Sequence, residues 1–271
     1  FGYTGQISLG HAGFYAIGAY TSAILRNNIG MPVLFCMIIG ACLSGLVGAI
    51  LAIPTSKLVF HFLSLATIAF GEIIYLLITR SPAGITGDYA GLFTEPVSFF
   101  GINLDTHTKF YYFGLVCVII FLLAKNSIYN SRVGRAFVAI KENVHAANGM
   151  GVNVRKYKVI AFTLSALYTG FAGAMYVHLI NYISPETFMQ KQSVMFLTML
   201  LLGGTGSIIG PILGSISVLL LTEALRSFAD YQVLVYGLLL LVVIVAIPGG
   251  FNGLIKKVTD KYRSSKQGGI N

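Results

Sequence analysis

Long apolar runs separated by short polar interludes fill this chain, and their lengths set its architecture. In order they are Ser8–Leu25, Met31–Ile53 closed by Pro54, Leu58–Ile78 broken by Glu72, Phe110–Ala124, Val159–Ile180, Phe188–Leu202, Ile208–Leu225 and Tyr231–Ile247. Each approaches the ~20 residues that carry an α-helix across a bilayer. The pattern predicts an all-α, polytopic membrane protein of about eight transmembrane helices. Lys109 and Lys125 flank the shorter fourth run with stems long enough to snorkel. Two glycine-rich stretches, Gly5–Gly13 and Gly203–Gly214, interrupt the pattern near its two ends. They predict broken helices whose irregular backbone lines a cavity, or, as the alternative, close helix packing through small residues.

The sizeable polar interlude is Asn130–Lys158, inside a loop spanning 126–158. With Lys125 at its entrance it carries Arg132, Arg135, Lys141, Arg155, Lys156 and Lys158. Val133, Phe137, Ile140, Val144 and Ala147 recur at steps of four and three, which places one apolar stripe on a helix. Asn130 or Ser131 caps its start, and Gly149 and Gly151 mark its stop. The expectation is one amphipathic helix of roughly five turns. Such a helix either lies on the lipid surface or docks a soluble partner.

Composition agrees with the membrane reading. Charged residues make up 10% of the chain, against about 25% in soluble domains. The net charge of +9 does not point to nucleic acid, because the cations sit in loops between apolar runs. Thirteen of the eighteen Lys and Arg lie at Lys57, in the Lys125–Lys158 segment, or in the basic tail within 251–271. The positive-inside rule assigns these positions to the cytoplasm. The loop Arg80–Lys109 and the turns near Ser184 and Asp230 are then external. Cys36, Cys42 and Cys117 fall in apolar runs with no CxxC spacing, so neither a metal site nor a disulfide framework is implied. The chain opens at Phe1 in mid-pattern, and further spans are expected before it.

Several blocks then occur in a telling order. They are Gly2-Tyr3-Thr4-Gly5-Gln6-Ile7-Ser8-Leu9-Gly10-His11-Ala12, Ala66-Thr67-Ile68-Ala69-Phe70-Gly71-Glu72-Ile73-Ile74, and Ser131-Arg132-Val133-Gly134-Arg135-Ala136 through Ala146-Ala147 to Met150-Gly151-Val152. Ala161-Phe162 to Gly173-Ala174 and Gly203-Gly204-Thr205-Gly206-Ser207-Ile208-Ile209-Gly210-Pro211 follow. Together they resemble the permeases of branched-chain amino acid ABC importers over Phe1 to about Gly250. The resemblance implies a single transmembrane permease domain, 1–271, in the cytoplasmic membrane of a bacterium or archaeon. It implies import of leucine, isoleucine, valine or a related amino acid, with urea or short amides as the alternative cargo. The implied partners are two cytosolic ATP-binding subunits, a second related permease, an external binding protein and membrane lipid. An ion-coupled carrier, a channel and a purely structural membrane subunit are the readings from other classes.

The resemblance also assigns roles. His145-Ala146-Ala147-x-x-x-Gly151 has the spacing of the Glu-Ala-Ala…Gly loop by which importer permeases contact their ATPases, with His145 in the place of the glutamate. The implied coupling set is Arg135, Ile140, His145, Ala146, Ala147, Met150 and Gly151. No Gly-x-x-x-x-Gly-Lys phosphate loop occurs. The chain is therefore expected to be a transporter subunit without catalytic residues or a cofactor of its own, with ATP-Mg on its partners. Candidate path residues are Gln6, Ser8, His11, Glu72, Gly204 and Ser207. Glu72 stands out because an ionisable group within a span is costly and faces a cavity or a partner. It holds a cation, a substrate ammonium or a neighbouring helix. His178 and Glu223, near the ends of their runs, read as interfacial. Ile85–Gly91 lacks the paired glycine usual in the family.

Overall fold

A computed structural model describes residues 2–57, 60–81, 84–94, 98–99, 102–103, 107–206, 209–224, 234–235 and 237–238. Ser207, the basic tail and most of the Tyr231–Ile247 run lie outside the described residues. The helices are α1 His11–Ile29, α2 Val33–Thr55, α3 Phe60–Thr79, α4 His107–Asn130, α5 Arg132–Glu142, α6 Val144–Gly149, α7 Val154–Ile180, α8 Gln190–Gly203 and α9 Gly210–Ala224. Segments Val33–Thr55, Phe62–Thr79, Thr108–Asn130 and Val154–Ile180 are long and apolar enough to cross a membrane. The described helices follow the apolar runs, and α4 extends well beyond its run at both ends. The strands are two residues each: β1 Leu92–Phe93, β2 Ser98–Phe99, β3 Ile102–Asn103 and β4 Tyr182–Ile183. β1 pairs antiparallel with β4 and β2 with β3.

The chain divides into two compact units, Thr4–Ser193 and a second formed by Phe1–Tyr3 with Val194–Asn271. The larger unit is centred on α1, α2 and α7. Small residues let their backbones touch: a Cβ on Gly18 would collide with the Gly170 carbonyl, one on Gly173 with the Tyr15 carbonyl, and one on Gly48 with Ala166 Cβ. Ser44 occupies the same seam, its hydroxyl shared between the carbonyls of Ala166 at 2.8 Å and Phe14 at 3.1 Å. Small residues four apart (Gly40, Ser44 and Gly48 on α2; Ala166, Gly170 and Ala174 on α7) give lipid-soluble helices the close contact that hydrophobicity alone does not drive inside a bilayer. Beside the seam, Phe14, Ala52, Leu63, Phe70, Phe162 and Ala166 pack α1, α2, α3 and α7 together. Val33, Met37, Ala41, Phe110, Cys117, Phe171 and Ala174 attach α4.

One end of the larger unit gathers several chain ends. Asn27 donates from Nδ2 to the Phe93 carbonyl at 2.7 Å, Thr94 N–H to Asn181 O at 3.0 Å, and Tyr182 OH to Ala90 O at 3.0 Å. The ends of α1 and α7 and the loop between α3 and α4 thus share one face. The expectation that the 80–109 loop and the Ser184 turn lie on the same side agrees with this placement. The opposite face carries α5 and α6, and Gly5 stands beside Lys141 there.

The smaller unit contains a helical hairpin in which α9 returns against α8. A Cβ on Gly214 would meet the Met199 carbonyl, and one on Gly203 the Gly210 carbonyl. Buried Leu202 and Val218 sit between the helices, with Met195, Met199 and Leu221 around them.

Candidate functional site

The segment that leads into α1 is irregular and held inside the helical bundle. Gly5 turns the chain with φ 71°. Beyond it, Ser64 on α3 donates to the Ile7 carbonyl at 3.3 Å, and Leu9 N–H donates to Thr67 Oγ1 at 3.0 Å. Ala12 N–H donates to Ser193 Oγ in the first turn of α8 at 2.8 Å. A Cβ on Gly10 would strike the Thr67 carbonyl, so the strand presses directly on α3. Backbone groups that a bilayer leaves unsolvated are satisfied here by hydroxyls from neighbouring helices, the condition under which irregular backbone survives at membrane depth.

The predicted path residues are arranged unevenly around this segment. Gln6 accepts a hydrogen bond from Thr4 Oγ1 at 3.2 Å, and Ser8 Oγ accepts from Gly10 N–H at 3.4 Å. His11 opens α1, with Nε2 2.8 Å from Ser165 Oγ of α7 and its ring edge-on to Phe14. Glu72 is not brought to them. It stands exposed on α3 along the face of Phe62, Leu65, Ile73 and Leu76, whereas Ser64, Thr67 and Gly71 of the same helix face the lead-in segment. Gly204 belongs to the smaller unit, where it adopts φ 97°. Gly5 precedes the start of α1 by as many residues as Gly204 precedes the start of α9, and both are left-handed. That local correspondence strengthens the likeness between the two glycine-rich breaks.

The polar interlude corrects one expectation. The single five-turn helix is two helices, α5 and α6, broken at Asn143 with φ −157° and ψ 113°. Asn143 ends α5 and caps α6, its Oδ1 accepting from His145 N–H at 2.9 Å and Ala146 N–H at 3.0 Å. Asparagine competes with the helix by bonding nearby amides through its own side chain, which favours caps over interiors. Ser131 caps α5 as expected, accepting from Val133 and Gly134 N–H. The stop is also as expected: α6 ends at Gly149 and Gly151 turns with φ 84°. The break changes the stripe. Phe137, Ile140 and Ala147 are buried, while Val144 beside the break is exposed. Of the predicted coupling residues, Ile140 and Ala147 therefore anchor the pair to its own unit. Arg135, His145, Ala146 and Met150 face outward, Met150 at 85% exposure.

His178 is a second correction. It is 2% exposed and bonded through Nε2 to Ser22 Oγ at 2.8 Å, where an interfacial position was expected. Sequence reasoning also passed over Ser44, Ser64, Thr67, Ser165 and Ser193, the hydroxyls that bind the lead-in segment and the central seam. Each lies in an apolar run. The usable signal was spacing, since Ser44 stands midway between Gly40 and Gly48.

Membrane-length helices, irregular backbone satisfied inside their bundle, and a capped helix pair on the cation-rich face define a polytopic α-helical membrane protein. The chain belongs to the family described as branched-chain amino acid transport system / permease component, which matches residues 1–247. It is 31% identical over 273 residues to the high-affinity branched-chain amino acid transport system permease protein LivM of Escherichia coli strain K12, covering 92% of this chain and 64% of that protein. It is 28% identical over 204 residues to the probable branched-chain amino acid transport permease protein LivM of Methanocaldococcus jannaschii, covering 74% of this chain and 59% of that one. A shorter likeness, 32% identity over 142 residues, links it to the autoinducer 2 import system permease protein LsrC of Escherichia coli O9:H4, over 48% of this chain and 39% of that protein. The chain thus spans under two thirds of the length of these relatives. No solved structure matches it.

Proposed function

We propose that this chain is the membrane permease subunit of an ATP-driven importer that takes up branched-chain amino acids delivered by an external binding protein. The observation that carries the reading is the family match over 1–247, joined to an outward-facing α6 whose exposed His145, Ala146 and Met150 stand on the cation-rich face. An exposed methionine in a polar segment supplies adaptable apolar contact for a partner. In this reading α5 and α6 lie in the cytoplasm and contact one of two ATP-binding subunits, which hold the ATP-Mg. Arg135 and Gly151 complete the contact, and Ile140 and Ala147 fix the pair to the bundle.

Gln6, Ser8 and His11 line the path on this subunit, with Gly204 and Ser207 at the second glycine-rich break. Glu72, on the uncovered face of α3, meets the second permease. A carboxylate facing hydrocarbon costs about 2.5–3.5 kcal/mol on insertion scales, so a protein surface with a donor or cation suits that face better than lipid.

Uptake into proteoliposomes holding this chain with its co-expressed partners tests the reading. Labelled leucine and labelled urea are offered with their binding proteins, with and without internal ATP. ATP-dependent leucine entry is the expected result. ATP-dependent urea entry alone moves the cargo to short amides, and entry that follows an ion gradient without ATP overturns the importer assignment. Ala146→Arg and Met150→Arg probe the coupling contact, because both positions are exposed and neither change disturbs the buried anchors.

A further inference from the structure

Helix α4 is attached to the bundle along only part of its length. Toward its start, Phe110 and Cys117 pack with Phe171 and Ala174, and a Cβ on Gly114 would touch Met175. Beyond Cys117, a groove of ≈ 270 Å³ opens between α4 and α7. Cys117, Val118, Phe121 and Leu122 form one wall, Tyr168, Phe171, Ala172 and Met175 the other, and Lys125 stands at its end. Phe121 lies against Tyr168 with ring centroids 4.6 Å apart, and the Tyr168 hydroxyl is turned to the Phe121 carbonyl at 3.5 Å. The walls are otherwise hydrocarbon.

We propose that this groove holds an acyl chain of an anionic phospholipid from the leaflet on the cation-rich side, with its phosphate at Lys125. The eight residues from Cys117 to Lys125 rise about 12 Å along the helix axis, so the groove runs along the membrane normal as a lipid chain does. A helix segment of that length, 10–12 Å across, occupies roughly 1000 Å³, several times the space available. A single hydrocarbon chain fits; a partner helix does not. Charge supplies the other half of the argument. Lys125 is half-buried, its stem covers apolar wall and its ammonium lies toward the membrane surface, the disposition of a snorkelling lysine. Exposed Arg132 and Arg135 follow at the start of α5, so the headgroup region beside the groove is positive. Basic sites of this kind between membrane helices select acidic headgroups.

The chain contains no tryptophan, which gives a direct test. Leu122→Trp places one fluorophore in the groove, and Leu123→Trp places a control on the adjacent exposed surface of α4. Each full-length variant is reconstituted into vesicles of phosphatidylcholine and phosphatidylglycerol in which one lipid or the other carries dibrominated chains. At Leu122→Trp, brominated phosphatidylglycerol is expected to quench in excess of its mole fraction, with about a fivefold preference, the worth of one cation near the surface. At Leu123→Trp, quenching follows mole fraction. Adding Lys125→Gln to Leu122→Trp removes the headgroup preference, and adding Ala172→Phe, which fills the groove, removes the excess quenching by both lipids. Circular dichroism and a single elution peak verify folding of every variant. Equal, mole-fraction quenching at both positions with either lipid overturns the proposal. So does a preference that survives both second-site changes.

Discussion

His11 and Ser165 meet with 2.8 Å between Nε2 and Oγ, tying the first residue of α1 to the middle of α7. Ser165→Ala leaves an imidazole nitrogen without its partner inside the bundle. The expected loss is about 1–3 kcal/mol, read as a lower unfolding temperature in detergent, and Ser165→Thr restores most of it. An unchanged melting curve for Ser165→Ala would remove the bond from the account of how the lead-in segment is held.

Two glycines separate packing from propensity. At Gly170 an added methyl would strike Ser44 Cβ in the central seam, and Gly170→Ala should cost about 1–3 kcal/mol through overpacking. At Gly149, at the end of α6, an added methyl meets nothing within 4 Å. Gly149→Ala should be neutral or stabilise by up to about 1 kcal/mol. Thermal unfolding of the two variants in the same detergent decides whether the opposite signs hold.

Asn143→Ala removes the cap of α6, a loss of about 1 kcal/mol. The apolar spacing on both sides then favours one continuous helix. Spin labels at Arg135 and Asn148 should report a longer, narrower distance distribution in Asn143→Ala than in the otherwise unaltered chain. Asn143→Asp, which keeps an accepting oxygen, should retain the short distance. If all three distributions coincide, the cap does not set the break.

Ser44 bridges two helices with one hydroxyl, and Ser44→Ala deletes it without changing the packing volume much. Inter-helix hydrogen bonds in membranes average about 0.6 kcal/mol with a maximum near 1.7, so the expected destabilisation lies in that range. Stability measured by reversible unfolding in mixed micelles would show it. A loss well above that range would mean the seam itself rearranges.

Much of this architecture was legible because apolar run length and helix length answer to the same bilayer thickness. The Ser131 cap and the Gly149–Gly151 stop were legible for a local reason, since both depend on side-chain chemistry at fixed positions. The break at Asn143 was not, because Val133, Phe137, Ile140, Val144 and Ala147 keep helical spacing straight across it. A single cap overrode a periodic pattern, and the exposed Val144 is the visible result. The grouping of path candidates was hidden for another reason. Glu72 and Gly71 are neighbours in sequence yet point to different sides of α3, and only the packing of α1 onto that helix reveals which side holds the irregular segment. Burial of His178 likewise depended on Ser22, far away in sequence.

Helix α4 runs into α5 through Ser131, whose hydroxyl donates back to Ile128 O at 2.6 Å while it caps the next helix. The joint is stiff, and α4 is fastened to its neighbours chiefly near its far end. Mechanically, the α1–α2–α7 block is a stator, locked by glycine contacts that tolerate no sliding, and α4 is a cantilever with α5 fixed to its tip. Force delivered at α6 is spent first on bending that beam, so the compliant element of the subunit lies at its rim.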